Sequence, residues 1–149
     1  MGQLKKLDQF IIDFSLRYGV VSLRISLAVI FIWFGLLKPL GFSPAEELVK
    51  NTVYWIDPNI FFPILGIWEV LIGVFILWRP TIRLGILLLA LQMPGTALPL
   101  VLLPEVCFTK FPYGLTLEGQ YIIKNLVLIA AAGVISGTVH RHSSKDKIL

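Results

Sequence analysis

Long apolar runs dominate the chain, and short polar segments separate them. Four runs are long enough to cross a hydrocarbon core of about 30 Å as helices, which takes about 20 residues each. They cover residues 20–40, 60–78, 82–103 and 119–139. The runs lack strand-type alternation, and among short spans only helices satisfy their own backbone hydrogen bonds in lipid. We therefore predict an all-α membrane protein, a bundle of four transmembrane helices that forms one domain.

Two amphipathic segments outside these runs predict further helices. Apolar residues recur at helical spacing from Leu4 to Phe14, which is typical of a short helix lying in the membrane interface. In the first outer loop, Ser43-Pro44-Ala45-Glu46 has the pattern of a capping box with proline at the first helical position. We expect that second helix to lie on the outer surface and to stop at Asp57-Pro58. The loop over residues 104–118 is predicted to be a turn at the same interface.

Composition supports the membrane assignment. Of the 149 residues, 56% are hydrophobic and 15% are charged, whereas a soluble domain has about 25% charged residues. The net charge of +4 is not concentrated in the dense basic stripe of a nucleic-acid binder. The only cysteine, Cys107, excludes an intrachain disulfide and a Cys-x-x-Cys motif. It lies between apolar neighbours, so we expect an inert, packed thiol.

The distribution of lysine and arginine predicts the orientation in the membrane. One side carries Lys5, Lys6, Arg17, Arg79, Arg83, Arg141, Lys145 and Lys147. The other side carries only Lys50 and Lys110 in its loops, with Lys38 at a helix end. Both termini are therefore expected to face the cytoplasm.

Glu69 is the strongest candidate for a functional group. It lies nine residues past Ile60, about 13 Å deep at 1.5 Å per residue. An ionisable side chain at that depth costs about 2.5–3.5 kcal/mol on insertion scales. Glutamate is too short to reach the membrane surface, so it must face the bundle interior. Lys124, about 8 Å below the outer surface by the same rise, is the predicted partner.

These groups predict a polar cavity that opens to the outer side. Its candidate residues are Lys38, Glu69, Gln92, Glu118, Lys124 and Asn125. Prolines 94 and 99 are expected to kink the third span beside it. A structural ion pair that fixes helix register is the alternative. No metal site is predicted, and we interpret His140 and His142 as part of a solvated basic tail.

A glycine pair on the fourth span predicts close helix packing. Gly133 and Gly137 form a Gly-x-x-x-Gly step. We expect it to pack inside the bundle, and a homodimer seam is the alternative.

Several segments together resemble the DoxX-like membrane proteins. Arg24 followed by residues 31–38 is similar to their first-helix pattern, and residues 66–73 are similar to their Glu-x-x-x-Gly step. Residues 42–45 and 117–125 resemble the branch that includes reactive chlorine resistance protein C. The resemblance implies a four-helix bundle in a bacterial inner membrane and a link to redox or oxidative-stress physiology. Some DoxX relatives are described as subunits of a thiosulfate–quinone oxidoreductase.

The residues and the resemblance favour an accessory or ligand-binding membrane component. The chain has no evident catalytic or cofactor motif, so an enzyme is not favoured, and a quinone is the candidate ligand. Expected partners are the lipid bilayer, a membrane redox subunit or further copies of the chain, and nucleic acid is not expected. A small transporter or ion- or proton-conducting protein is one alternative, and a structural assembly factor is another.

Overall fold

The computed structural model describes the backbone of residues 2–145 and the side chains of residues 3–138. About 82% of the protein is helical. In the part described, four helical stretches are long and apolar enough to cross a membrane: Gln3–Leu37, Pro58–Leu77, Arg79–Leu102 and Leu117–Thr138. The predicted all-α bundle of four transmembrane helices is therefore confirmed. The predicted basic tail with His140 and His142 lies outside the described side chains.

Shorter elements connect these helices. In chain order the elements are α1 (Gly2–Leu37), α2 (Glu46–Thr52), α3 (Pro58–Leu77), a 3₁₀ turn (Arg79–Thr81), α4 (Ile82–Ala97), α5 (Pro99–Leu102), α6 (Pro104–Cys107), β1 (Phe108–Lys110), β2 (Gly114–Leu115) and α7 (Leu117–Lys145). The antiparallel β1–β2 hairpin pairs Phe108 with Leu115 and Lys110 with Gly114. It occupies the loop that the sequence predicted only as a turn.

The predicted N-terminal helix is not a separate element. It is the first part of α1, which runs for 36 residues, or about 54 Å. No proline interrupts this stretch, so nothing in the backbone forces a break before the span. Residues 3–19 are all exposed, and α1 is longer than the hydrocarbon core alone requires.

The outer-loop helix is present but is shorter than predicted. The capping box is wrong: Ala45 occupies the N-cap position of α2, and no side chain caps it. The helix also ends at Thr52, whose hydroxyl donates a hydrogen bond to the Leu48 carbonyl. Asp57 and Pro58 instead begin α3, because the Asp57 carboxylate accepts the Asn59 N–H at 2.9 Å and proline takes the first helical position.

The third span is interrupted at one of its two prolines. Helix α4 continues through Pro94 and ends at Ala97, and Pro99 then begins the short α5. The break comes just before the second proline. Leu98 itself keeps helical dihedral angles (φ −52°, ψ −41°), and Pro99 has no N–H with which to continue the hydrogen bonds of α4.

The four long helices form a closed ring in cross-section. Helix α1 contacts α3 and α7, and α4 contacts the same two helices. The core between them is apolar and includes Leu27, Phe31, Ile72, Leu89 and Ile135. These buried side chains fix which face of each long helix points into the ring.

Glycines bring α1 and α3 together. A methyl group built on Gly66 would lie 2.6 Å from the Gly35 carbonyl oxygen, and one on Gly73 would lie 2.7 Å from the Ala28 carbonyl oxygen. The two contacts fix an antiparallel register in which Gly35 faces Gly66 and Ala28 faces Gly73. Small residues at such a crossing let two backbones approach closely.

The glycine step of α7 behaves differently. Gly133 and Gly137 are exposed, and a methyl group on either would meet nothing within 4 Å. The prediction that this step packs inside the bundle is wrong, because the buried face of α7 is formed by other positions, including Ala132 and Ile135.

Candidate functional site

Three polar side chains meet inside the ring: Lys38 directly after α1, Glu69 on α3 and Gln92 on α4. The Lys38 ammonium forms a salt bridge with Oε2 of Glu69, and Gln92 Nε2 donates a hydrogen bond to Oε1 of Glu69 at 2.8 Å. Lys38, Glu69 and Gln92 are only 7%, 8% and 9% exposed. Both carboxylate oxygens therefore have partners from neighbouring elements. We call these three residues the polar cluster.

Glu69 occupies the depth that its sequence position predicts. It lies 11 residues after the first residue of α3 and eight before the last, about 16 Å and 12 Å along the helix axis. A charge this far from both ends of a span must be paired inside the protein. The expectation that Glu69 faces the bundle interior is confirmed by its burial.

Lys38 lies well inside the end of the bundle at which α3 begins. It follows the last residue of α1, and its Cβ approaches within 2.8 Å of a methyl group built on Gly66. Because Gly66 lies two turns inside α3, the lysine backbone starts well within the span. Its ammonium donates a hydrogen bond to the Phe34 carbonyl at 3.5 Å and lies 6.0 Å from the centre of the Phe62 ring. Lys38 is thus a bundle residue and not a surface anchor.

The Gln92 amide leaves one polar atom unused. Its Nε2 must point to Glu69, because an amide oxygen in that position would be repelled by the carboxylate. The hydrogen bond to Glu69 therefore determines the orientation of the amide. Oε1 is then buried without a hydrogen-bond partner. A buried acceptor in this condition costs about 1–3 kcal/mol. The cluster therefore has a free acceptor beside a neutralised ion pair.

Lys124 is not the partner of Glu69, and that prediction is wrong. Its side chain is exposed, and its ammonium lies over the Tyr121 ring of its own helix at 5.2 Å. The buried face of α7 includes Ile122 and Ile135. Lys124 lies two residues past Ile122, about 160° around the helix. It therefore cannot form a wall of the predicted cavity, and the cluster is enclosed without it.

The remaining two candidates lie elsewhere. Asn125 lines a groove of about 110 Å³ between α4 and α7, together with Met93, Thr96 and apolar neighbours. Glu118 is exposed in the first turn of α7. The structure thus unites three of the six candidates and separates the other three from them.

Glu118 has a different neighbour, the thiol of Cys107. Burial raises the pKa of Cys107, and the nearby carboxylate of Glu118 raises it further. The thiol is completely buried, which confirms the expectation of a packed cysteine. Low exposure and a raised pKa both oppose nucleophilic chemistry.

Sequence reasoning missed the pairing of Lys38 although a signal was present. Gly35 precedes Lys38 by three residues, and Gly66 precedes Glu69 by three. Residues three apart share a helix face, so each charge lies on a face that also carries a glycine. Two such faces packed together bring the charges into contact, as observed.

Among residues 3–138, no group of three or more His, Cys, Asp and Glu could hold a metal ion. The geometry defines a small helical membrane protein with an enclosed, charge-balanced polar cluster. No protein-family model, no curated protein and no solved structure matches the chain.

Proposed function

We propose that this chain is a membrane protein of the DoxX-like type that binds a lipid-soluble ligand as an accessory component of redox or oxidative-stress metabolism. The family likeness of the first two helices supports the type. The concentration of lysine and arginine on one side supports cytoplasmic termini, and the resemblance to DoxX-like proteins supports a bacterial inner-membrane location. A redox partner subunit would supply the chemistry, since this chain carries no cofactor motif.

The free Oε1 of Gln92 carries the proposal. It can accept a hydrogen bond from a ligand hydroxyl. The Lys38 ammonium has three N–H donors; Glu69 and Phe34 accept two of them, and the third can be donated to a ligand oxygen. A quinone in its reduced state has hydroxyl groups on an apolar ring. The polar cluster is therefore matched to the quinol form in particular.

The groove between α4 and α7 supports the same ligand class. Thr96 lies one turn beyond Gln92 on α4, and it lines this groove opposite Asn125. At about 110 Å³ the groove is smaller than most drug-sized pockets, but it suits part of a hydrocarbon tail. A headgroup at Gln92 and a tail along the groove would give one continuous site.

Ligand-induced thermal stabilisation in nanodiscs tests the proposal. A short-chain ubiquinol should raise the melting temperature of the wild type more than the matching ubiquinone does. Gln92→Met should abolish this shift, because methionine keeps the shape but has no strong acceptor. Gln120→Met, the same change at an exposed position of α7, should leave the shift intact. The proposal fails if wild-type protein shows no shift and organic extraction of the purified protein yields no quinone.

A further inference from the structure

Arg24 is a second buried polar group that the polar cluster does not use. It lies on α1 between the exposed residues 3–19 and the apolar core. Its neighbour Leu23 packs against that core. The residue is half-buried, and its Nε is shielded from solvent without a hydrogen-bond partner. A guanidinium has five N–H donors and stays charged. This one therefore needs an acceptor at Nε.

The register of α1 and α3 gives the depth of Arg24. Ala28 faces Gly73, and the two helices are antiparallel. Arg24 lies one turn before Ala28, and Leu77, the last residue of α3, lies one turn after Gly73. Arg24 is therefore level with Leu77. The next residue, Trp78, is 64% exposed, and tryptophan is enriched at membrane interfaces. Arg24 is therefore at the depth where hydrocarbon gives way to lipid headgroups.

The described residues offer no carboxylate at this end of the bundle within reach of Arg24. Asp13 and Asp8 precede it on the same helix by 11 and 16 residues, about 16 and 24 Å along the axis. The other described acidic residues lie in α3, α2, α6, α7 or the outer loop. Two more cations, Arg79 and Arg83, are exposed at the same end. Among residues 3–138, the charged side chains at this end of the bundle are thus cationic, and they favour binding of an anion.

We propose that Arg24 binds a phosphate group at this face of the bundle, with a membrane phospholipid as the source. Phosphate oxygens accept the paired N–H groups of an arginine in a charge-assisted geometry. A lipid phosphate also lies at the depth of Arg24, so its ester chains can follow the apolar sides of α1 and α3. The exposed Arg79 and Arg83 add positive charge around the headgroup.

Native mass spectrometry of the full-length protein in detergent tests this site with phosphatidylglycerol as the probe. Arg24→Gln should weaken binding about tenfold or more, since a hydrogen bond to a charged group is worth about 1.5–3 kcal/mol. Arg17→Gln changes the net charge equally at an exposed position that lies over Tyr18, and should keep wild-type affinity. Arg24→Lys retains the charge but has no Nε–H, so it should bind the lipid several-fold more weakly than wild type does. This variant tests the site even if Arg24→Gln fails to fold.

Two further probes identify the source of the phosphate. Diacylglycerol, which has the chains without the phosphate, should not compete. Inorganic phosphate should bind weakly. If it binds as strongly as the lipid, and if this binding depends on Arg24, the site belongs to free phosphate. Equal affinity of wild type and Arg24→Lys, or equal binding of diacylglycerol and phosphatidylglycerol, would overturn the proposal.

Discussion

The α1–α3 interface and the outer surface of α7 have similar residue types but opposite environments. Each region has a lysine toward the end of the bundle that carries α2 and the β1–β2 hairpin, and a pair of glycines at helical spacing. Lys38 is buried and paired with Glu69, whereas Lys124 is exposed over Tyr121. Gly66 and Gly73 touch the backbone of α1, whereas Gly133 and Gly137 meet nothing.

The difference shows that a motif has no fixed role until its helix face is known. On α7 the buried face is set by Ile122, Ala132 and Ile135, so lysine and glycine at the intervening positions are turned outward. On α3 the glycines and Glu69 share the buried face. Helix rotation, fixed by the apolar core, decides which polar groups can meet.

Replacing each lysine by methionine should give the largest contrast between the two regions. Lys38→Met leaves the Glu69 carboxylate buried without its counter-ion, and breaking a buried pair costs about 3–5 kcal/mol. Lys124→Met changes an exposed side chain and should alter the free energy of unfolding by less than about 0.5 kcal/mol. Unfolding by sodium dodecyl sulfate in mixed micelles measures both values.

The double variant Lys38→Met with Glu69→Leu separates a lost pair from lost packing. It should recover most of the stability lost in Lys38→Met, because no uncompensated charge is left. Equal losses for Lys38→Met and Lys124→Met would contradict the burial difference between the two regions.

The sequence was sufficient for the four spans and for the depth of Glu69, because both depend on hydropathy and rise per residue. It was insufficient for the partner of Glu69. Depth alone placed Lys124 and Glu69 at comparable levels, but pairing also needs the rotation of α7, which tertiary packing sets. The β1–β2 hairpin was missed because its strands have only three and two residues, too few for a periodic pattern.

Adding a methyl group to one glycine in each region should give the next largest contrast. Gly66→Ala places Cβ against the Gly35 carbonyl and the Cβ of Lys38, so α1 and α3 must separate. Overpacking of this kind costs about 1–3 kcal/mol. Gly133→Ala has open space and should be neutral or slightly stabilising, since alanine is the better helix former. Thermal unfolding of the two variants compares them directly.

A further consequence checks the link between this contact and the polar cluster. In Gly66→Ala, the displaced Lys38 should also reduce the stabilisation by ubiquinol, whereas Gly133→Ala should not. Identical melting temperatures for the two variants would mean that the α1–α3 contact is looser than the structure indicates.

Gln92→Met should have a small effect on stability despite its position in the cluster. It removes a hydrogen bond to a charged group, worth about 1.5–3 kcal/mol, but it also removes an unpartnered buried oxygen that costs about 1–3 kcal/mol. We expect a net change within about 1 kcal/mol by micelle unfolding. A loss as large as that of Lys38→Met would show that Oε1 has a partner in the folded protein.

The smallest expected effect concerns Gly119 at the start of α7, which packs closely against Cys107. It contrasts with the open space around Gly133 on the same helix. A methyl group on Gly119 would collide with the Cys107 carbonyl oxygen. The Cys107 thiol is buried and its pKa is raised, so its labelling by maleimide at pH 7 should be slow. The control is Thr109→Cys in a Cys107→Ala background, because Thr109 is exposed and lies two residues away. This control cysteine should be labelled much faster than Cys107. Because the thiolate is the reactive form, the labelling of Cys107 should also accelerate at a higher pH than that of the control.

Gly119→Ala should speed the labelling of Cys107, because the loop must move away from α7, whereas Gly133→Ala should leave the rate unchanged. If both alanine variants label at the wild-type rate, the start of α7 is as loosely packed as the region around the exposed Gly133 and Gly137. The tight contact between Gly119 and Cys107 would then be absent, whereas the glycine contacts between α1 and α3 would be unaffected.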